Sequence, residues 1–67
     1  MILDYIPDKE FVKEIQNNMK YNQNHISKYI VHNGFGYIFK RFDNKIRVMV
    51  ATLDHNFEEI SKVLSGL

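Results

Sequence analysis

Cysteine is absent from this chain of 67 residues, which also has only one proline and three glycines. Without cysteine there is neither a disulfide framework nor a thiolate site, and this composition fits a reducing compartment. No apolar run approaches the roughly 18 residues of a membrane-spanning helix, and the opening MILDYIPDKE is too acidic for a secretory signal. We therefore expect a soluble, cytoplasmic protein with no membrane partner.

The short length indicates a single domain that spans residues 1–67. A chain of this size buries only roughly 60% of the surface that its unfolded form exposes, which is near the lower limit for a domain that folds alone. Its richness in asparagine, lysine and isoleucine favours an AT-rich genome and, by association, a phage or other mobile element.

The net charge of +1 hides an uneven distribution along the chain. Residues 1–19 carry two lysines against four acids (−2), residues 20–50 carry six cations against one acid (+5), and residues 51–67 carry one lysine against three acids (−2). Charge segregation of this kind bears on the choice of partner more than on the fold.

Two segments have the apolar spacing of amphipathic helices. In the first, 8–20, Phe11, Ile15 and Met19 recur every four residues after a plausible N-cap at Asp8, and the helix is expected to end near 21-YNQN-24. In the second, 54–67, a capping box begins at Asn56 and a left-handed terminal residue is expected at Gly66. The apolar face of this second helix holds Phe57, Ile60, Val63, Leu64 and Leu67.

Between the helices the period changes to two, which predicts strands at 26–31, 36–42 and 45–53. Asn33-Gly34 favours a type I′ hairpin turn, although Gly36 also allows a longer loop, and Asp43-Asn44 is a second two-residue turn. The prediction is an α+β fold in the order α-β-β-β-α, a three-stranded antiparallel meander with two helices packed on one face.

The second turn sets a register in which Phe42 lies opposite Lys45 and Lys40 lies opposite Arg47. Alternation then forms a core face, with Arg41 towards the turn, from Tyr37, Phe39, Ile46, Val48 and Val50. The outer face holds Ile38, Lys40, Phe42, Lys45, Arg47 and Met49. An even-length first loop adds Tyr29 and Val31 to this outer face, whereas an odd-length loop adds Lys28, Ile30 and His32.

The outer face places two like charges, Lys40 and Arg47, directly opposite each other, which destabilises a strand pair by up to ~1 kcal/mol. The functional interpretation is a surface that meets an anionic partner. The structural alternative is a solvated face on which lysine and arginine stems cover Ile38 and Met49.

No pattern in the sequence predicts catalysis, a metal site or a cofactor. His25, His32 and His55 are too widely separated for a zinc motif, and they are expected to be surface or turn residues. The segment Gly34-Phe35-Gly36 is too short to cradle a phosphate. We expect a protein that is not an enzyme.

The stretch NGFGYIFKRFDNKIRVMVATLDHNFEEI, within residues 28–64, resembles the three-stranded DNA-binding domain of phage and transposon integrase N-termini and of plant ethylene-response factors. The resemblance implies a sheet that enters the major groove, with Lys40, Lys45 and Arg47 as the matching contacts. The element order is also that of double-stranded-RNA-binding domains, but their last helix begins with lysines and this one begins with DHNFEE.

Three functional hypotheses follow. The first is a module that binds double-stranded DNA through Tyr29, Ile38, Lys40, Phe42, Lys45, Arg47 and Met49. The second is a small inhibitor or regulator that binds a host protein, with acidic helices that could mimic DNA. The third is a homodimer, since Ile38, Phe42 and Met49 would otherwise be exposed.

Overall fold

The computed structural model describes residues 1–22, 27–43 and 45–65 of the chain. Its elements, in chain order, are α1 (Lys9–Tyr21), β1 (Ser27–His32), β2 (Phe35–Phe42), β3 (Lys45–Thr52) and α2 (Phe57–Leu64). The strands form one antiparallel sheet with β2 in the centre. The predicted α+β class and the order α-β-β-β-α are confirmed.

Some sequence-based predictions lie outside the described residues. They concern the turn at residues 23–24, His25, Ile26, Asn44, Gly66 and Leu67.

Helix α1 begins where its sequence predicts. The Asp8 carboxylate accepts a hydrogen bond of 3.0 Å from the Phe11 amide, so the predicted N-cap is confirmed. The second carboxylate oxygen of Asp8 lies 3.2 Å from Nε2 of His32, whose ring stacks on Phe11 at a centroid distance of 3.8 Å. These contacts tie the start of α1 to the end of β1.

Helix α2 begins at the N-cap that its sequence predicts. The Asn56 side chain accepts from the Glu58 amide at 2.8 Å, so the predicted N-cap is confirmed and the first helical residue is Phe57. Asp54 precedes the helix, and its carboxylate accepts from the Thr52 hydroxyl and lies 3.3 Å from the Met1 amine. Within the described residues, neither helix has the length and apolar character needed to cross a membrane.

The two hairpins set the register of the sheet. Asn33 and Gly34 both have positive φ, 51° and 85°, which is the type I′ geometry expected of Asn-Gly. Because this loop has two residues, Tyr29 pairs with Ile38 and shares its face. In the second hairpin Phe42 pairs with Lys45 and every predicted pair up to Tyr37 with Val50 is confirmed.

The two helices lie on opposite faces of the sheet, which corrects the prediction that both pack on one face. On the first face, Val12 and Met19 of α1 pack with Tyr37, Phe39 and other residues of the expected core face. On the second face, α2 packs through the buried side chains of Ile60 and Leu64 on Ile38 and Ala51. The physical reason is that Ile38 and Ala51 form an apolar area on the second face that α2 removes from water.

Substitution of Ile38 tests the position of α2. Its side chain is only 1% exposed, so Ile38→Val should lower the free energy of unfolding by about 1 kcal/mol. Urea denaturation followed by circular dichroism measures this loss. Ile46→Val, on the face covered by α1, is the comparison and should cost a similar amount. An Ile38→Val change within about 0.5 kcal/mol of zero would indicate a solvated side chain and contradict the packing of α2.

The Asp8 contacts predict a loss of stability in acid. The Phe11 amide and the His32 side chain hold the pKa of Asp8 below its ordinary value. A carboxylate with a lowered folded-state pKa stabilises the fold above its ordinary pKa, and this contribution disappears as the pH falls through the folded pKa. We expect the Tm to fall below about pH 4 and Asp8→Asn, which keeps a capping oxygen, to flatten that part of the profile.

Thermal unfolding over a series of acidic buffers measures this effect. Asp4→Asn, which removes an exposed carboxylate from the same segment, is the matched control. If the Tm falls equally with decreasing pH in the wild-type chain and in Asp8→Asn, Asp8 is not the cause of the loss of stability in acid.

Candidate anion-binding site at one end of the sheet

Two consecutive cations on β2 hold the ends of the two helices. Lys40 Nζ donates to Ser65 Oγ at 2.6 Å and lies 3.5 Å from Ser61 Oγ, at the last turn of α2. Arg41 Nη2 donates to the Met19 carbonyl oxygen in the last turn of α1. Because successive strand residues point to opposite faces, each cation stabilises the C-terminus of one helix, where the helix dipole favours positive charge.

The aromatic ring of Phe42 lies close to both cations of the like-charged pair. Lys40 does lie opposite Arg47, as predicted. The Phe42 centroid is 6.0 Å from Lys40 Nζ and 5.3 Å from the Arg47 guanidinium carbon, distances at which a ring face attracts a cation. The ring and the helix end together offset the repulsion that this pairing implies.

Lys45 and Arg47 are exposed at the β2–β3 turn end of the sheet. Both line a depression of about 600 Å³ with Phe42 and Asp43. Both also line a neighbouring depression of about 320 Å³, which α1 borders with Gln16 and Lys20. We call Lys20, Phe42, Lys45 and Arg47 the basic end; the Asp43 carboxylate shares the first depression with Lys45 and Arg47.

The opposite end of the sheet is acidic, because both helices begin there. Asp8, the N-cap of α1, contacts His32 beside the β1–β2 turn. Asp54 precedes α2 next to Thr52, which pairs with Phe35 at the same turn. We call this region the acidic end; its members are Asp8, Glu10, Asp54, Glu58 and Glu59. The acidic–basic–acidic sequence therefore folds into a molecule with one end of each sign.

The structure brings four of the seven predicted site residues together, namely Lys40, Phe42, Lys45 and Arg47. Of these four, Lys45 and Arg47 are exposed, while Lys40 and Phe42 are half-buried.

The other three predicted site residues lie apart from the basic end. Ile38 is a core residue and Met49 is half-buried against the same cluster under α2. Tyr29 is 37% exposed and packs edge-on against Phe57 of α2, with ring centroids 5.2 Å apart. None of the three contributes to the depressions around Lys45 and Arg47.

Sequence reasoning missed the contribution of α1 to this site. Gln16 and Lys20 reach the basic end because α1 runs in the direction of β2, from His32 towards Arg41. The available signal was Lys20 in the last turn of an amphipathic helix. A lysine at this position stabilises the C-terminus of its own helix, and the sequence does not show which strand residues lie beside it.

Comparisons of the chain with protein-family models, with curated proteins and with solved structures give no match.

The chemistry of the basic end is that of anion binding. Arg47 offers a planar fork of N–H donors that suits a phosphate or carboxylate, and the two lysines add mobile positive charges. In the part of the chain that the structure describes, no group of three histidine or acidic side chains is placed to hold a metal ion.

The two opposed cations should respond differently to substitution. Lys40→Gln removes a charge from the end of α2 and should lower the free energy of unfolding by about 1 kcal/mol. Arg47→Gln removes the same charge from an exposed position and should change the free energy of unfolding by less than about 0.5 kcal/mol. Urea denaturation of the two variants measures this difference. An equal loss of unfolding free energy in both variants would contradict a structural role for Lys40.

Proposed function

We propose that this chain is a small binding protein that attaches to the sugar–phosphate backbone of nucleic acid through its basic end. One observation carries the proposal: Lys45 and Arg47 remain exposed beside an aromatic ring, whereas the adjacent cations Lys40 and Arg41 are engaged by the helix ends. Exposed cations of this kind displace counterions from a phosphate backbone.

The mode of contact that we propose uses an end of the sheet. The integrase-like resemblance implies that the outer sheet face enters the major groove. Helix α2 covers Ile38 and engages Lys40 on that face, so the central part of the face is not free to enter a groove. Lys45 and Arg47 lie beyond this cover, at the turn end of β3, and can approach the backbone with Lys20.

Duplex binding by the basic end is testable by charge neutralisation. The double variant Lys45→Gln/Arg47→Gln should weaken binding to a fluorescein-labelled DNA duplex by at least about tenfold at low salt, because two phosphate contacts are lost. Fluorescence anisotropy at several salt concentrations should also show that the slope of log affinity against log salt falls by about 2.

The matched control is Lys9→Gln/Lys13→Gln, which removes the same charge from exposed positions of α1. It should leave both the affinity and the salt slope nearly unchanged. Equal weakening by the two double variants would indicate a response to net charge alone, and no binding of the wild-type chain at low salt would contradict the proposal outright.

The second candidate function is binding to a host protein, and the acidic end favours it. Carboxylates from the first turns of both helices are gathered at that end, where a basic protein surface could meet them. The acids at these positions also stabilise the helix dipoles, so they serve the fold as well. Loss of partner binding in Glu58→Gln/Glu59→Gln, together with unchanged duplex binding, would favour this function.

A further inference from the structure

The two edges of the sheet are treated differently by the rest of the chain. The outer edge of β3 is occupied: the Ile46 carbonyl accepts from Gln16 Nε2 at 2.9 Å and the Val50 carbonyl accepts from the Leu3 amide at 2.8 Å. The Thr52 amide donates to the Met1 carbonyl at 2.9 Å. Unpaired edge groups invite another strand, and the N-terminal segment and α1 prevent this at β3.

The outward-facing groups of β1 follow from its hairpin. The type I′ turn joins His32 to Phe35 by a hydrogen bond, so His32 faces β2. Alternation along an antiparallel ladder then directs Lys28 and Ile30 towards β2 as well. The amides and carbonyls of Ser27, Tyr29 and Val31 therefore point away from the sheet, and no strand among the described residues pairs with them.

The edge of β1 lacks two of the usual protections, a bulge and a proline, although it contains one charged residue, Lys28. Its register with β2 is uninterrupted from Ser27 to His32, so no bulge twists it away, and it contains no proline. On the α2 side of the sheet two of its three side chains are apolar: Tyr29, which packs on Phe57, is 37% exposed and Val31 is 56% exposed. An extended edge strand with outward backbone groups and exposed apolar side chains is suited to pairing with another strand.

We propose that β1 pairs antiparallel with β1 of a second copy of this chain, about a two-fold axis at Ile30. In this register Tyr29 lies opposite the partner's Val31, and Val31 lies opposite the partner's Tyr29. Both residues of each pair have outward amides and carbonyls, so each pair forms two backbone hydrogen bonds. The two three-stranded sheets become one continuous sheet, and each tyrosine covers a valine.

Charge favours a second copy over an unrelated strand. Each molecule has an acidic end and a basic end, and an antiparallel arrangement places opposite ends side by side. In the proposed register Lys28 lies opposite the partner's His32. The structure places His32 within 3.2 Å of the Asp8 carboxylate, so the Lys28 ammonium approaches the partner's Asp8. The same complementarity occurs twice, once on each side of the axis.

This inference is independent of the proposed nucleic-acid function, and sedimentation of the full chain without nucleic acid tests it. The wild-type chain should form a dimer in a concentration-dependent way, with a dissociation constant below about 1 mM. Val31→Lys places a charge on the edge and should weaken dimerisation by at least about tenfold. Val31→Thr keeps the shape and the strand preference at the same exposed position, and it should weaken dimerisation several times less than Val31→Lys.

Amide hydrogen exchange gives a readout that a different dimer would not reproduce. The amides of Tyr29 and Val31 should exchange fast in dilute protein and at least about tenfold more slowly in concentrated protein. The Ile30 and His32 amides, already bonded to β2, should be protected in both. A chain that stays monomeric at about 1 mM overturns the proposal, as does a dimer in which the Tyr29 and Val31 amides remain unprotected.

Discussion

The burial of strand β2 on both faces is the constraint on which the rest of this structure depends. Four consecutive residues, Gly36–Phe39, are buried, so alternate side chains serve two separate cores. Tyr37 and Phe39 pack under α1, and Ile38 packs under α2. The same alternation continues into Lys40 and Arg41, which reach the ends of the two helices on opposite sides. One strand thus positions both helices.

Much of the fold could be predicted because its signals are local. Asn33-Gly34 specifies a type I′ turn through two positive φ values, and a two-residue loop then sets every pair of the first hairpin. The face on which α2 packs is not a local property, because it depends on which apolar side chains of the sheet the helix can remove from water. The apolar run Tyr37-Ile38-Phe39 was the available signal, because strands buried on both faces show continuous hydrophobicity in place of alternation.

The candidate site could be predicted only in part, for the same reason. The register correctly placed Lys40 opposite Arg47 and next to Phe42. It could not separate a cation that holds a helix end from one that remains exposed, because that difference depends on where α2 ends. Because Lys40 Nζ lies 2.6 Å from Ser65 Oγ and Arg41 donates to the end of α1, both cations of β2 have a structural explanation. The exposed cations of β3, Lys45 and Arg47, have no such contact with a helix end in the part of the chain that the structure describes.

The helices cover the central part of each sheet face, and the exposed cations Lys45 and Arg47 lie at one end of the sheet. A net charge of +1 is low for a protein that meets a polyanion, but the charges are not evenly mixed. The helices start at one end and finish at the other, so acids collect at their N-termini while Lys20, Lys45 and Arg47 collect at the opposite end. The field near a surface depends on the nearest charges, because salt screens those more than about 10 Å away. A phosphate that approaches the basic end would therefore meet three nearby cations and one nearby carboxylate, that of Asp43, while the more distant carboxylates would have little effect on it.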